Sequence, residues 1–413
     1  MYICGVMKKT FLFITLLLLI WCSHKIYGQE RYLENIFSEV DVQYDVVYGT
    51  NVTIFPTLLG QLPVTQDLLM DIYTPNGDVE TSRPVVVLIH TGSFLPAILN
   101  GQATGGKNDN AIVEQCMQFA KKGYVAVAIS YRLGWNPTSD QDVRRSTFMQ
   151  SLYRAVQDVR TSVRFLRKTL EEGNPYGVTN TFFVGGLGTG GAISLAVATL
   201  NDYDTELNLP KFMDTSMDID GDGINDAVPD INPEWLGDIN GTSMGVSPEM
   251  DLDGDGTPEA TDVTLCVPNH VGYSSSIDMA FNIGGALPDS SWINPGEAPI
   301  ASMHCYLDEY EPYETGAIIV PTTNEVVLEA HGSLVVQRLS SEYGNNDVFD
   351  GLSMSVNDIW YGNGDGAANS ALQVQDVSVF TGAPLFDDED PVWEFEGHDV
   401  YPGLFPIVAP TGA

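Results

Sequence analysis

The sequence predicts an α/β fold with a mostly parallel, doubly wound sheet at its centre. Apolar strand-like segments alternate with helix-like segments between residues 68 and 198, which is typical of a parallel sheet covered by helices on both faces. The strands at 84–89 and 124–129 are apolar without interruption, as expected for strands buried on both faces. A third apolar strand at 181–184 enters a glycine-rich turn and then a helix of small residues at 192–198.

The other elements follow from hydrophobic periodicity and from helix stop signals. The helix at 111–122 ends at Gly123, and the long amphipathic helix at 147–172 is stopped by Gly173 and Pro175. The predicted strands are 40–48, 68–73, 84–89, 124–129, 181–184, 279–283, 298–306 and one at about 370–400, and the predicted helices are 111–122, 147–172, 192–198 and about 323–342. We expect a single domain over 29–413, with residues 203–275 inserted after the small-residue helix as an acidic lid.

The composition is strongly acidic. The 413 residues contain 18 Lys and Arg against 55 Asp and Glu, which gives a formal net charge of −37, and the only basic residue after Lys211 is Arg338. Such a field repels nucleic acids and anionic membranes, and it favours solubility in salt and cation binding. We therefore expect no nucleic-acid partner.

The N-terminal segment resembles a signal peptide. Lys8 and Lys9 precede an apolar run at 10–22, and Gly28 is a small residue suited to cleavage. The run is shorter than the ~20 residues that span a bilayer, so we expect export to the cell exterior or periplasm rather than a membrane anchor. Removing 1–28 takes away three lysines and no acid, and moves the formal charge to −40. The remaining cysteines are Cys116, Cys266 and Cys305. The sequence leaves open whether two of them form a disulfide.

The insertion contains two acidic motifs with the spacing of calcium-binding loops. From Asp251 to Asp262, oxygen-bearing side chains stand at positions 1, 3, 5, 9 and 12, with glycine at 6, and from Asp218 a second copy matches through position 9. The candidate ligands are Asp218, Asp220, Asp222, Asp226, Asp251, Asp253, Asp255, Glu259 and Asp262. We expect structural Ca²⁺ here; the alternative is a solvated acidic loop.

Several motifs carry a resemblance when taken in order. His90-Thr91-Gly92-Ser93 is similar to a His-Gly-Gly-Gly turn, and Gly186-Leu187-Gly188-Thr189-Gly190 is similar to Gly-x-Ser-x-Gly. Segment 303–313 is similar to His-Gly-x-x-Asp-x-x-x-Pro-Tyr, and 396–399 is similar to a Gly-His loop. Together they resemble secreted α/β-hydrolases of the carboxylesterase/lipase type.

The resemblance implies a role for each matching residue. Gly188 stands in the nucleophile position, Asp308 in that of the triad acid, and His398 in that of the base. The oxyanion hole would be formed by backbone N–H groups from Thr91, Gly92, Ser93 and Thr189. His90 is expected to be structural.

Glycine at position 188 leaves the predicted hydrolase without an attacking atom. We expect a catalytically impaired protein, because neither Thr189 nor Ser194 should point from the turn as a serine at 188 would. Two alternatives remain: an active or weakly active carboxylic-ester hydrolase that uses the His398 and Asp308 pair, for example to activate water, or a non-catalytic module that binds a small-molecule or polymer ester. Glycine also relieves the strain of this turn, so the change can stabilise the fold. The sequence does not define the ligand or the oligomeric state.

Overall fold

The computed structural model describes residues 31–101, 103–215, 224–305 and 308–349, and the backbone of 404–407. The predicted signal segment, Asp218, Asp220, Asp222 and His398 lie outside these residues. Among the described residues, no helix is both long and apolar enough to cross a membrane.

An eight-stranded sheet forms the centre of the protein. Its strands are β1 Val40–Thr53, β2 Val64–Pro75, β3 Arg83–Ile89, β4 Val125–Ile129, β5 Val178–Leu187, β10 Met279–Ile283, β11 Ile300–Cys305 and β14 Leu404–Ile407. They lie in the order β1-β2-β4-β3-β5-β10-β11-β14; β1 and β2 are antiparallel to their neighbours, and the pairs from β4 to β14 are parallel. The predicted α/β class is therefore confirmed, and the carboxyl ends of β3, β5, β10 and β11 meet at one edge.

Helices cover both faces of this sheet. The helices are α1 Ala97–Asn100, α2 Asn110–Lys122, α3 Gln141–Glu171, α4 Thr189–Thr199, α5 Pro233–Leu236 and α6 Ser333–Glu342. Helix α2 packs on β2, β3 and β4 through Ile112, Cys116 and Ala120, while α3 and α4 pack against the apolar cluster on the other face of the sheet. The two-sided cover explains why β3 and β4 are apolar throughout.

Helix α3 buries an unusual number of basic side chains. Its N-terminus is capped by Asp140, whose Oδ1 accepts from the backbone N–H groups of Asp142 and Val143 at 3.1 Å. The buried arginines of this helix are Arg144, Arg154, Arg160 and Arg164. A buried cation needs hydrogen-bond acceptors or an opposite charge close by. These four side chains therefore govern where many polar groups lie next to the sheet.

Small antiparallel pairs complete the described chain. The insertion contains β6 Met213–Asp214 with β7 Val228–Pro229, and the hairpin of β8 Gly245–Met250 with β9 Ala260–Cys266. Outside the insertion, β12 Thr315–Ile319 pairs with β13 Val326–His331. The expected helix at about 323–342 is thus too long, because its first part is β13 and α6 begins only after Gly332. The thiols of Cys116, Cys266 and Cys305 are free.

Candidate functional site

The turn between β5 and α4 lies at the carboxyl edge of a central strand. Gly188 has φ 54° and ψ −119°, a positive φ that glycine adopts without steric cost. Its N–H donates to the Ile283 carbonyl at 2.7 Å, and its own carbonyl accepts from Ala192 N–H at 3.0 Å. This sharp strand-to-helix turn is the geometry that presents a nucleophile above an α/β sheet.

The flanking glycines let the helix approach the sheet closely. A Cβ on Gly186 would overlap the backbone of Gly190, and a Cβ on Gly190 would overlap the carbonyl of Ile89. These two glycines are therefore required by packing, whichever residue stands at position 188.

The space beside Gly188 is occupied by Thr91. A Cβ built on Gly188 would lie 2.6 Å from Thr91 Oγ1 and 3.4 Å from Thr91 Cβ. The first separation is too short for non-bonded atoms, so the threonine hydroxyl takes up room that a serine side chain would need. Sequence comparison with a His-Gly-Gly-Gly turn marks residue 91 as changed, but it gives no sign that its side chain reaches position 188.

The predicted oxyanion turn uses one of its donors internally. Ser93 N–H donates to Thr189 Oγ1 at 3.0 Å, so this donor is already engaged by a side chain. Gly92 has φ 122° and Ser93 has φ 53°, and a Cβ on Gly92 would lie 2.6 Å from the Gly105 Cα. The turn is thus tightly held in a form that directs the Ser93 amide at Thr189.

His90 is a buried structural residue. Its Nδ1 lies 2.6 Å from the Thr91 carbonyl, which can only accept, so Nδ1 carries the proton. The ring stacks on Tyr131 with centroids 4.4 Å apart, and burial lowers the pKa of the imidazole. A ring held by the Thr91 carbonyl and stacked on Tyr131 stabilises the turn.

The segment after β11 brings together the predicted acid and a buried histidine. Asp308 Oδ1 accepts the N–H groups of Tyr310 and Glu311, each at 2.9 Å, and so closes a tight turn. His304 Nε2 donates to the Glu311 carbonyl at 3.2 Å, and its Nδ1 therefore accepts the Ser333 hydroxyl at 2.7 Å. Because Ser333 is fully buried, this serine–histidine pair has no access to a substrate.

Glu311 is the acid in this segment whose environment is most perturbed. Its Oε2 is buried with no hydrogen-bond partner among the described residues. Burial, with repulsion from Asp308, raises the pKa of Glu311 to about 8. Sequence analysis did not select Glu311, because a perturbed acid has no local sequence signal.

No described histidine serves the turn as a base. His90, His270, His304 and His331 hydrogen-bond to other groups, and none of these bonds reaches the side-chain hydroxyl of Thr91 or Thr189. His398, the expected base, lies outside the described residues.

Ser194 is the other nearby hydroxyl. It is fully buried in α4, with Oγ 2.7 Å from the Gly191 carbonyl and 2.9 Å from the Phe281 carbonyl. Its side chain stabilises the contact between helix and sheet and is not placed to attack a ligand.

The second acidic motif forms the loop of the β8–β9 hairpin. Single carboxylate oxygens of Asp251, Asp253 and Glu259 lie within 4.8 Å of one another, and all three residues are exposed. Asp251 also accepts the N–H groups of Gly254 and Gly256 at 2.8 Å each. Three converging carboxylates fit part of the six to eight oxygens that Ca²⁺ takes, with carbonyls and water left to supply the rest.

Two predicted ligands of this motif lie outside the cluster, because Asp255 turns to the N–H of Thr257 and Asp262 lies within β9. Of the first motif, Asp226 is described but belongs to no such group of carboxylates among the described residues.

Comparisons with known proteins agree with this architecture. Residues 70–229 match the BD-FAE family model, a span that includes β3, β4, β5 and the Gly188 turn but less than half of the chain. The chain has an α/β-hydrolase fold. The match to this family model supports the expected hydrolase type for residues 70–229. No curated protein matches the sequence.

The solved structures that resemble this α/β-hydrolase include esterase 2 of Thermogutta terrifontis. Its apo form is 16% identical, with a TM-score of 0.36 over 68% of this chain and 77% of that chain. Its native form is 17% identical, with a TM-score of 0.35 over 69% and 77%. The form phosphorylated by paraoxon is 16% identical, with a TM-score of 0.35 over 69% and 77%. A likeness of this size does not bear on the activity of the present chain.

Proposed function

We propose that this α/β-hydrolase has lost hydrolysis of carboxylic esters and acts by binding a small-molecule or polymer ester fragment. The observation that carries the proposal is the position of Thr91 Oγ1, 2.6 Å from where a Cβ on Gly188 would lie. Gly188 supplies no side chain at the position that the resemblance gives to the nucleophile, and Thr91 Oγ1 lies close to where such a side chain would begin.

Two further observations support impaired catalysis. Acyl transfer needs donors aimed at the developing oxyanion, and losing one of them costs roughly 10²–10³ in kcat. Here Ser93 N–H donates to Thr189 Oγ1 instead. A hydroxyl also needs a base to remove its proton, and no described histidine hydrogen-bonds to the side-chain hydroxyl of Thr91 or Thr189.

Export and calcium binding belong to the same proposal. The predicted signal segment at 1–28 supports a location at the cell exterior or in the periplasm. The convergence of Asp251, Asp253 and Glu259 supports Ca²⁺ at the tip of the β8–β9 hairpin. The ion would order the hairpin and take no part in chemistry.

The test is ester turnover by the purified protein without its signal segment. We expect no saturable hydrolysis of p-nitrophenyl acetate or butyrate above the rate of a His398→Ala variant. Turnover within the ordinary range of about 1–10³ s⁻¹, lost in that variant, would overturn the proposal and favour attack by water activated through His398.

A further inference from the structure

A cavity of about 780 Å³ lies among the segments that follow β1, β3 and β4. Helix α3 and the insertion complete its walls, and the volume suits a small organic ligand. The apolar and aromatic part of the wall includes Leu95, Trp135, Trp235, Met250 and Leu265. Because β3 and β4 end next to it, the cavity lies at the carboxyl edge of the sheet, the edge at which β5 leads into Gly188.

One cation, Arg154, lies in the described wall of this cavity. The side chain is 1% exposed, and its Nη2 donates to Ser151 Oγ at 3.1 Å. The other two nitrogens, Nε and Nη1, have no hydrogen-bond partner among the described residues and are shielded from solvent. A buried guanidinium with two unused nitrogens is costly unless something else supplies acceptors.

The nearest carboxylate is already taken by another arginine. Arg132 and Asp158 are both fully buried and form an ion pair at 2.9 Å. Burial, together with repulsion from Arg132, lowers the pKa of Arg154 to about 9. Arg132, Arg154 and Asp158 thus carry one positive charge in excess.

Another buried arginine of α3 has acceptors for both of its terminal nitrogens. Arg160 donates to four oxygens, from Val197, Leu200, Ile239 and Asn240. Arg144 Nε and Arg164 Nη1 of the same helix have no hydrogen-bond partner among the described residues. What distinguishes Arg154 from these arginines is its place in the described wall of the cavity.

We propose that the cavity binds an apolar monocarboxylate, whose carboxylate pairs with the Arg154 guanidinium after a small rotation of that side chain. The inference goes beyond the proposed function, because a free carboxylate has no ester bond to hydrolyse. Asp230 in the wall is neutralised by Arg145 at 2.9 Å. Exposed Glu249 and Asp251 make the insertion side of the cavity negative. A single negative charge directed at Arg154 fits this distribution, whereas a multiply charged anion does not.

The test compares benzoate with benzamide, which has nearly the same shape and no charge. Calorimetric titration of the full mature chain is expected to show benzoate binding at least ~10-fold more tightly than benzamide, because charge-assisted hydrogen bonds exceed neutral ones. Arg154→Met should remove this preference, and Arg154→Lys should retain part of it. Arg154→Met also tests folding, since replacing an unpaired buried charge by an apolar chain should not lower the melting temperature.

Each outcome bears on the proposal. Equal benzoate affinity in wild type and a folded Arg154→Met variant would overturn it, as would absence of wild-type binding for both benzoate and 2-naphthoate up to their solubility. Ester turnover with intact, arginine-dependent benzoate binding would refute only the non-catalytic assignment. Absence of turnover with arginine-independent binding would refute only the carboxylate site.

Discussion

Gly188→Ser is expected to destabilise the protein, and Thr91→Ala is expected to recover part of that loss. A non-glycine residue at φ 54° and ψ −119°, a sparsely populated backbone conformation, costs about 1–3 kcal/mol. Overlap between the new Cβ and Thr91 Oγ1, at 2.6 Å, adds about 1–3 kcal/mol. Thr91→Ala removes Oγ1 and leaves Cβ at 3.4 Å, an ordinary contact, so the coupling between the two positions should be about 1–3 kcal/mol.

The assay is a double-mutant cycle followed by urea unfolding, with circular dichroism as the signal. Thr91→Val is the matched control, because it keeps atoms at both γ positions and should not relieve the overlap. The same variants are then exposed to a fluorophosphonate probe. We expect labelling of Gly188→Ser/Thr91→Ala in excess of Gly188→Ser, provided that His398 and Asp308 reach the turn.

Either of two stability results would refute the steric reasoning, and a third result concerns the rest of the site. Equal stability of Gly188→Ser with and without Thr91→Ala would mean that the threonine rotates away at no cost. Rescue by Thr91→Val equal to that by Thr91→Ala would show that bulk beside position 188 is not the source of the coupling. A folded double variant that takes no label would show that the rest of the catalytic site has been lost.

The other predictions concern charge and metal. Arg154→Met should leave the melting temperature unchanged or raise it. Arg160→Met should lower it, because four carbonyl or amide oxygens lose their donor. The opposite order would contradict the difference between the surroundings of the two arginines. Glu311 has a folded-state pKa of about 8, above its unfolded value, so the free energy of unfolding should fall as pH rises from about 4.5 to 8. Glu311→Gln should flatten that fall in urea titrations at several pH values. An unchanged pH profile in the variant would count against the raised pKa of Glu311. Calcium should raise the melting temperature of the wild type and not of Asp251→Asn, and an identical wild-type melt in chelator would remove the calcium assignment.

The sequence was sufficient to predict the parallel core, because buried strands and small-residue helices have strong local patterns. The predicted strand 279–283 coincides with β10, and the predicted helix 111–122 differs from α2 by one residue. The long helix 147–172 was found, but its start at Gln141 was missed, since the first two turns lack a regular apolar stripe.

The errors and omissions arise where distant parts of the chain interact. Residues 326–331 have apolar spacing that also suits a helix, but pairing with β12 makes them a strand. Arg154 and Asp158 stand one helical turn apart, yet Asp158 pairs with Arg132 from another part of the chain. The overlap of Thr91 with position 188 is likewise invisible in sequence, because it depends on how the β3 turn meets the β5 turn.

The burial of basic side chains in helix α3 and in neighbouring elements also affects the charge of the protein's surface. Among the described residues, the buried cations are Arg83, Lys107, Arg132, Arg144, Arg154, Arg160 and Arg164. The buried acids in the same part of the chain are fewer: Asp71, Asp158, Glu206 and Asp230. The solvent-facing layer of this described part is therefore more anionic than its overall balance of charge would suggest. Copies of the protein repel one another within a screening length of about 8 Å at physiological salt, which disfavours self-association and adsorption to anionic polymers.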